Sequence, residues 1–443
     1  MSQILFERCA GLDVHKKTVV ACRRRLTSDL EATFETRTFG TTTDELLALS
    51  DWLAEWEVTH VAMESTGEYW KPVFNILESN FETWLVNARH VKHVPARKTD
   101  IKDAEWLAQL MQMGLLNPSF IPERPQRELR DLTRMRQTLV RERARVVNRV
   151  QKVLEDANIK LASVVTDILG VSARRMLEAM IQGETDPKVL ANLAKGRLRN
   201  KLPALEKALV GRMTSHHRFL LKRHLMHIDF LDEEITLLSQ EIARRIELMS
   251  QSSDSEPPVE QKGDRHAQDG EDANHPLTWN QAVELLTTMP GIERRTAEMV
   301  LAEIGLDMSR FPSARHLAAW AGLAPGNHQS GGKHYSGRTK KGNSVVRSIL
   351  VQAAQSARRT KHSYLSALYR RIVRRRGKKR AIVAVAHSML VSIYYMLSRQ
   401  QAYQDLGADY FDQRRKEAKV DYLMRQLRRL GYQVALQPMA IAA

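Results

Sequence analysis

The stretch LDVHKKTVVACRRRLTSDLEATFETRTF, residues 12–39, decides the class of the first domain. Residues 12–14, 18–22 and 32–39 are short apolar or β-branched runs divided by polar turns, which predicts three successive antiparallel strands. The period then changes. Over 45–56, Leu46, Leu47, Leu49, Trp52 and Leu53 recur at helical spacing behind a threonine cluster at 41–43. Residues 58–63 read as a fourth strand, 69–78 as a helix and 83–86 as a fifth strand. A further helix begins near Asp100 and carries Trp106, Leu107 and Leu110. Three meandering strands followed by alternating helix and strand predict a mixed-sheet α/β domain over residues 1–120.

Beyond it the chain reads as all-α. Leu129, Leu132, Met135, Leu139, Val146, Val150 and Leu154 keep an approximate heptad, and residues 219–248 carry a second series from Leu220 to Ile242. These two segments predict an antiparallel helical hairpin or a dimerising coiled coil, within a helical middle over 121–249. Residues 250–277 are polar and acidic without aliphatic periodicity, so a flexible linker is expected there. Helical patterning resumes over 278–400, broken by glycines between Gly322 and Gly342, and a helical tail follows at 401–443. Leu285, Leu286 and Met289 before Pro290-Gly291-Ile292, with Ala297, Val300 and Leu301 after, suggest a helix-hairpin-helix-like turn able to offer N–H groups to a phosphate.

In 443 residues, 68 Lys and Arg oppose 51 Asp and Glu, a net charge of +17. With a pI near 9.9, that excess points to a polyanionic partner. Arg127, Arg130, Arg134, Arg141, Arg145 and Arg149 recur along the first long helix, and residues 370–380 hold eight cations and no acid. Only Cys9 and Cys22 are present, which excludes a disulfide framework and a Cys-only zinc site. His90 and His93 lack a third ligand nearby. No uninterrupted apolar run reaches the ~18–20 residues of a membrane span, and no secretory pattern opens the chain, so a cytosolic, membrane-free protein is expected.

Four carboxylates hold the chemical interest. Asp13 lies on the first strand, Glu64 ends the fourth, and Asp100 and Asp103 stand three apart at a helix start. Strand ends and the adjacent helix start converge on one sheet edge, where four acids repel unless divalent cations neutralise them. Oxygen ligands suit Mg²⁺ or Mn²⁺, and a metal pair can clamp a phosphodiester. Taken singly, each acid has a plain alternative: a helix cap, a turn residue or a solvated strand end.

The segments GLDVHKK (11–17), MESTGEYW (63–70) and KTDIKDAEWLA (98–108) resemble, in order and context, the DEDD motifs of the one-hundred-and-ten family of bacterial insertion-sequence transposases. TTMPGIERRTAEMVLAEIG (287–305) and FPSARHLAAWAGLAPGNHQSGGKHYSGRTKKGNSVVRSIL (311–350) resemble that family's C-terminal transposase domain, although Glu293 replaces its usual glycine. The resemblance implies an RNase H/RuvC-like first domain, with Asp13, Glu64, Asp100 and Asp103 as catalytic acids holding Mg²⁺ or Mn²⁺. It implies Ser330 as a nucleophile forming a transient phosphoserine–DNA link. The expected partners are DNA at element ends and target, a structured guide RNA, and further copies of the chain as homodimer or homotetramer, in a bacterial cytoplasm near the nucleoid. Nucleic-acid contacts are expected at Arg134, Arg141, Arg145, Lys333, Arg338, Lys340, Lys341, Arg374, Arg375 and Arg376. Two rivals are a nuclease resembling a Holliday-junction resolvase and a non-catalytic nucleic-acid-binding assembly protein.

Overall fold

The computed structural model describes residues 5–26, 32–65, 67–86, 100–254, 277–326, 328–331, 333–339, 341–414, 416–433 and 435. The chain divides into two units, Met1–Pro122 and Glu123–Ala443.

The first unit is a five-stranded sheet between helical layers. Strands β1 (Arg8–Val14), β2 (Thr18–Leu26) and β3 (Ala32–Gly40) form the antiparallel meander, and β4 (His60–Ser65) and β5 (Glu82–Leu85) add parallel to β1, in the order β3-β2-β1-β4-β5. Helices α1 (Thr43–Ala54), α2 (Trp70–Leu77) and α3 (Asp100–Gln112) cover it. Strand alternation sorts the two faces. Ala10, Leu12, Val14, Val19, Ala21, Val61 and Met63 pack with Leu46, Leu49, Trp52, Leu53, Val73, Phe74 and Leu77 of α1 and α2. The opposite face, with Cys9, Val20, Cys22 and Ala62, lies under Ala104, Leu107, Ala108 and Met111 of α3. That face is built from small residues because α3 sits very close. A Cβ on Gly11 would fall 2.3 Å from the Ala108 nitrogen and 2.4 Å from the Ala104 oxygen. Burial also pushes the Cys9 thiol up to about 12 and the Cys22 thiol up to about 11, so both are protonated packing groups.

The second unit is helical. Helix α4 (Arg124–Asp156) is followed by α5 (Leu161–Val164), α6 (Val171–Gln182), α7 (Pro187–Asn192) and α8 (Leu202–Leu209), and α9 (Ser215–Asp254) returns along α4. Three polar rungs fix the direction: Arg245 to Glu128 at 2.5 Å, Arg143 Nη2 to Asp232 at 2.9 Å and His217 to Asp156 at 2.9 Å. Numbers rise on one helix as they fall on the other, so the pair is the antiparallel hairpin. Its core holds Val146, Val150 and Leu154 against Leu221, Leu225 and Ile228, filled out by Met176 and Leu177 of α6 and Leu205 and Leu209 of α8.

The start of the expected linker is corrected. Helix α9 continues to Asp254, and the buried Ser250 hydroxyl donates to the Ile246 carbonyl at 2.9 Å and accepts from the Asn280 N–H at 3.0 Å. Residues 255–276 lie outside the described residues.

Helices α10 (Trp279–Thr287), α11 (Arg294–Ile304), α12 (Ala314–Trp320), α13 (Ser344–Ala357), α14 (Tyr364–Arg376) and α15 (Lys378–Arg399) make the rest of the core, with α16 (Tyr410–Gln413) and α17 (Lys416–Arg429) beyond. Among the described residues α15 alone is long and apolar enough to cross a membrane. Its composition has a packing cause: Ile382, Val385, Ala386, Met389, Leu390 and Ile393 are buried within the unit. Tyr395 on the same helix is exposed, with the Arg399 guanidinium 4.8 Å from its ring. The turn between α10 and α11 packs inward. Gly291 has φ +85°, and a Cβ there would stand 2.5 Å from the Ala353 carbonyl of α13. That side of the turn is occupied by the protein's own helix.

Candidate active site and nucleic-acid surface

Asp13 and Glu64 are register partners on the parallel strands β1 and β4. Both lie on the α3 face by alternation with Gly11 and Ala62. Asp13 is shielded, and His15 Nε2 stands 3.0 Å from its Oδ2. His15 follows directly on the end of β1, two residues past Asp13, and was not among the expected site residues.

Helix α3 runs opposite to β1. The N–H groups of Leu5 and Phe6 donate to Gln112, the Cys9 thiol meets the Ala108 carbonyl at 3.4 Å, and Gly11 faces Ala104. Two further strand residues advance ~6.6 Å, and four helical residues ~6 Å, so the level of Asp13 is the first turn of α3. Asp100 and Asp103 occupy that turn, and Asp103 is half-buried. The Asp100 side chain lies outside the described residues, as do His90 and His93. Among the described residues no three His, Cys, Asp or Glu side chains gather at metal-holding distance. The donor types, carboxylates on neighbouring strands, are those that a hard cation takes.

Ser330 ends β6 (His328–Ser330), which pairs with β7 (Lys333–Ser336) in a hairpin where the sequence suggested only a loop. Ser330 is opposite Lys333, and Gly331 takes φ +56°, the left-handed conformation a tight hairpin turn requires. The Ser330 side chain and Lys340 lie outside the described residues. Two glycine contacts pinch the legs together. A Cβ on Gly326 would meet the Arg338 oxygen at 2.1 Å, and one on Gly342 the Gly322 nitrogen at 2.3 Å.

The root of this hairpin rests on a buried carboxylate. Asn343 caps α13 through Oδ1, with the Val345 and Val346 N–H groups donating at 3.0 and 3.1 Å, and its Nδ2 donates to Glu303 at 2.7 Å. Glu303 is 0% exposed and accepts from Arg134 Nε and Nη2 at 2.6 and 3.0 Å, with Arg130 Nε 3.4 Å away. Arg134, expected to contact nucleic acid, is thus engaged within the protein. A second buried pair, Arg136 with Glu298 at 2.9 Å, adds another tie between α4 and α11.

The remaining expected contacts face outward. Arg141 is exposed and donates to the Ser348 hydroxyl at 3.2 Å; Arg145, Lys333, Arg338 and Lys341 are exposed. Arg374, Arg375 and Arg376 form the exposed last turn of α14, where cations suit the helix dipole. Past Gly377, exposed Lys378, Lys379 and Arg380 open α15, where the dipole disfavours them. Among the described residues none of these six makes an ion pair with an acid, so the cluster holds uncompensated positive charge.

Comparison with known proteins decides the family. Residues 10–159 match DEDD_Tnp_IS110, a transposase family, and residues 283–370 match the transposase IS116/IS110/IS902 family. The chain belongs to the IS110 family of transposases. It is 25% identical to the transposase for insertion sequence element IS1111A of Coxiella burnetii, over 80% of this chain and 81% of that one. It is 24% identical to the transposase for insertion sequence element IS1328 of Yersinia enterocolitica, over 70% and 74%. It is also 34% identical to the pilin gene-inverting protein of Moraxella bovis, over 27% of this chain and 38% of the relative. As an IS110-family chain it is a DNA transposase and recombinase, and its partner is DNA. Neither a non-catalytic assembly protein nor a purely hydrolytic nuclease fits that membership as well.

Proposed function

We propose that this transposase cuts and rejoins the DNA of an insertion sequence by phosphoryl transfer to Ser330, assisted by Asp13, Glu64, Asp100 and Asp103. The observation that carries the reading is the in-register placement of Asp13 beside Glu64, level with the acidic first turn of α3. The four carboxylates would hold Mg²⁺ or Mn²⁺, which when bound supplies Lewis-acid neutralisation of charge on the phosphate. The RNase H/RuvC-like assignment of the first unit belongs to this proposal, supported by its meander followed by parallel strands. In the step itself a bond forms between Ser330 Oγ and phosphorus as a strand P–O bond breaks, freeing a sugar hydroxyl. Attack by another hydroxyl reverses it, so rejoining needs no nucleotide cofactor. A structured guide RNA is the proposed source of target choice, held by the same cationic surface.

Trapping tests the serine. Labelled element-end DNA incubated with the chain and then denatured should leave a covalent protein–DNA adduct, absent from Ser330→Ala. Cleavage with no adduct in the unaltered chain would instead favour hydrolysis by the acids alone.

The proposal includes an oligomer in which the acids of one subunit serve the serine of another. Helix α9 carries a second apolar stripe, Phe219, Met226, Phe230, Leu237 and Leu248, all exposed and opposite the face buried on α4. At 100° per residue these five fall within about 20° of one line, ~44 Å long, the geometry of a coiled-coil seam. A Met226→Glu, Phe230→Glu chain should run as a monomer in light scattering and lose strand transfer while keeping its helical circular dichroism. An unchanged oligomer would show that the seam lies elsewhere.

A further inference from the structure

Between α13, α14 and α15 lies a cavity of about 430 Å³. Its floor is aliphatic, from Ile382 and its neighbours, and its rim carries Arg347, Arg358, Lys378 and Lys379, with Tyr369 on one wall and no acid in the lining. Arg358 is held in place: its Nε donates to Gln355 Oε1 at 2.9 Å, and its Cζ lies 5.1 Å from the Tyr369 ring centroid. Four cations around an apolar floor are a mismatch for a purely structural void, where hydrophobic side chains would fill the space. They are equally a mismatch for simple backbone tracking, which needs charge on a surface and no cavity. A cavity of this size is at the lower end of small-ligand pockets, enough for one nucleotide.

We propose that this cavity receives one unpaired nucleotide of the DNA. Its base lies against the Tyr369–Arg358 pair and the aliphatic floor, and its phosphate against Lys378 and Lys379. The inference rests on the DNA-acting reading above and extends it. The exposed cations of 374–376 lead into the cavity through Gly377, so a strand held by them delivers its next nucleotide there. Strand exchange separates bases at the exchange point, and stacking on an aromatic ring with a guanidinium rewards an unpaired base of any identity. Paired bases are already stacked and gain nothing from the cavity.

The test uses the full chain and two single-stranded DNA probes of equal length, one oligothymidylate and one made of abasic sugar–phosphate units. Binding is followed by fluorescence anisotropy. The unaltered chain should prefer the strand with bases by about tenfold, within the range of aromatic–base stacking. Tyr369→Phe should keep that preference and Tyr369→Ala erase it, while both variants bind a blunt duplex as the unaltered chain does. Lys378→Ala with Lys379→Ala, both exposed, should weaken both probes equally and flatten the salt slope by roughly 0.7, the loss of one single-strand phosphate. A base preference that survives Tyr369→Ala, or a slope unmoved by the lysine pair, overturns the proposal. Indifference to the bases with duplex binding intact would sink the cavity alone. Failure to bind any DNA would sink the reading beneath it as well.

Discussion

An Asp13→Asn chain is expected to lose strand transfer by a thousandfold or more while its unfolding is unchanged. The substitution keeps the side-chain volume and removes only charge from a shielded position beside Glu64. Removing one preorganised hydrogen-bond donor from an oxyanion hole costs about 10²–10³ in rate. A ligand shared with a divalent ion carries more, because its loss also weakens the ion's binding. Glu64→Gln should act alike. His15→Ala, which removes the imidazole 3.0 Å from Asp13, should cost less, since it touches the carboxylate and not the reacting atoms. The measurement is strand transfer in Mg²⁺ with isothermal calorimetry of Mn²⁺ binding as a second readout. If Asp13→Asn keeps full activity, the residue is outside the site. Mixing Asp13→Asn with Ser330→Ala chains then asks whether the site is shared. Each is dead alone, and covalent cleavage should return in mixed oligomers. Persistent inactivity in mixtures that demonstrably assemble on DNA would mean that every subunit completes its own site.

Glu303→Ala should destabilise the second unit by about 3–5 kcal/mol, the cost of removing one member of a buried ion pair. Its carboxylate is fully buried and joins Arg130 and Arg134 of α4 to the Asn343 cap of α13. Alanine removes two hydrogen bonds from Arg134 and one from the Asn343 amide, and it leaves a void. Glu303→Gln keeps the shape and one acceptor, so its cost should be smaller. Arg134→Lys, which replaces a two-pronged donor by a point charge, should fall between them. Urea unfolding reads the effect as a lower midpoint at constant slope. A loss under about 1 kcal/mol would mean that the pair's attraction only balances its desolvation. Because Asn343 follows the Ser330 hairpin directly, the same variant should also blunt covalent cleavage in protein that remains folded. Arg134 therefore supports the hairpin from within, although its place in the arginine series of α4 resembles that of the exposed Arg141 and Arg145.

Alternation and helical period were enough to read the mixed sheet, because a half-buried strand and an amphipathic helix must repeat their apolar residues at fixed intervals. The strands at 18–22 and 32–39 and the helix at 45–56 are legible for that reason. The first half of β1 is not. Arg8, Cys9, Ala10 and Gly11 have weak strand propensity and extend only because Arg25, Arg24, Arg23 and Cys22 pair with them on one side, and His60, Val61 and Ala62 pair with the last three on the other. The acids were readable as types at strand and helix ends. That Asp13 meets Glu64 in register, and that α3 brings its first turn to the same level, is a long-range fact set by strand pairing and by the space Gly11 leaves. The heptads of α4 and α9 were plain, yet a heptad does not name its partner. Only the polar rungs and the buried core choose an intramolecular hairpin and leave a second stripe outside. Charge shows the same division. Composition by itself determined that the chain is strongly basic, because net charge is a sum over residues. Which arginines face outward and which close on Glu303 or Glu298 was decided by the tertiary structure, because burial and pairing depend on neighbours far away in sequence.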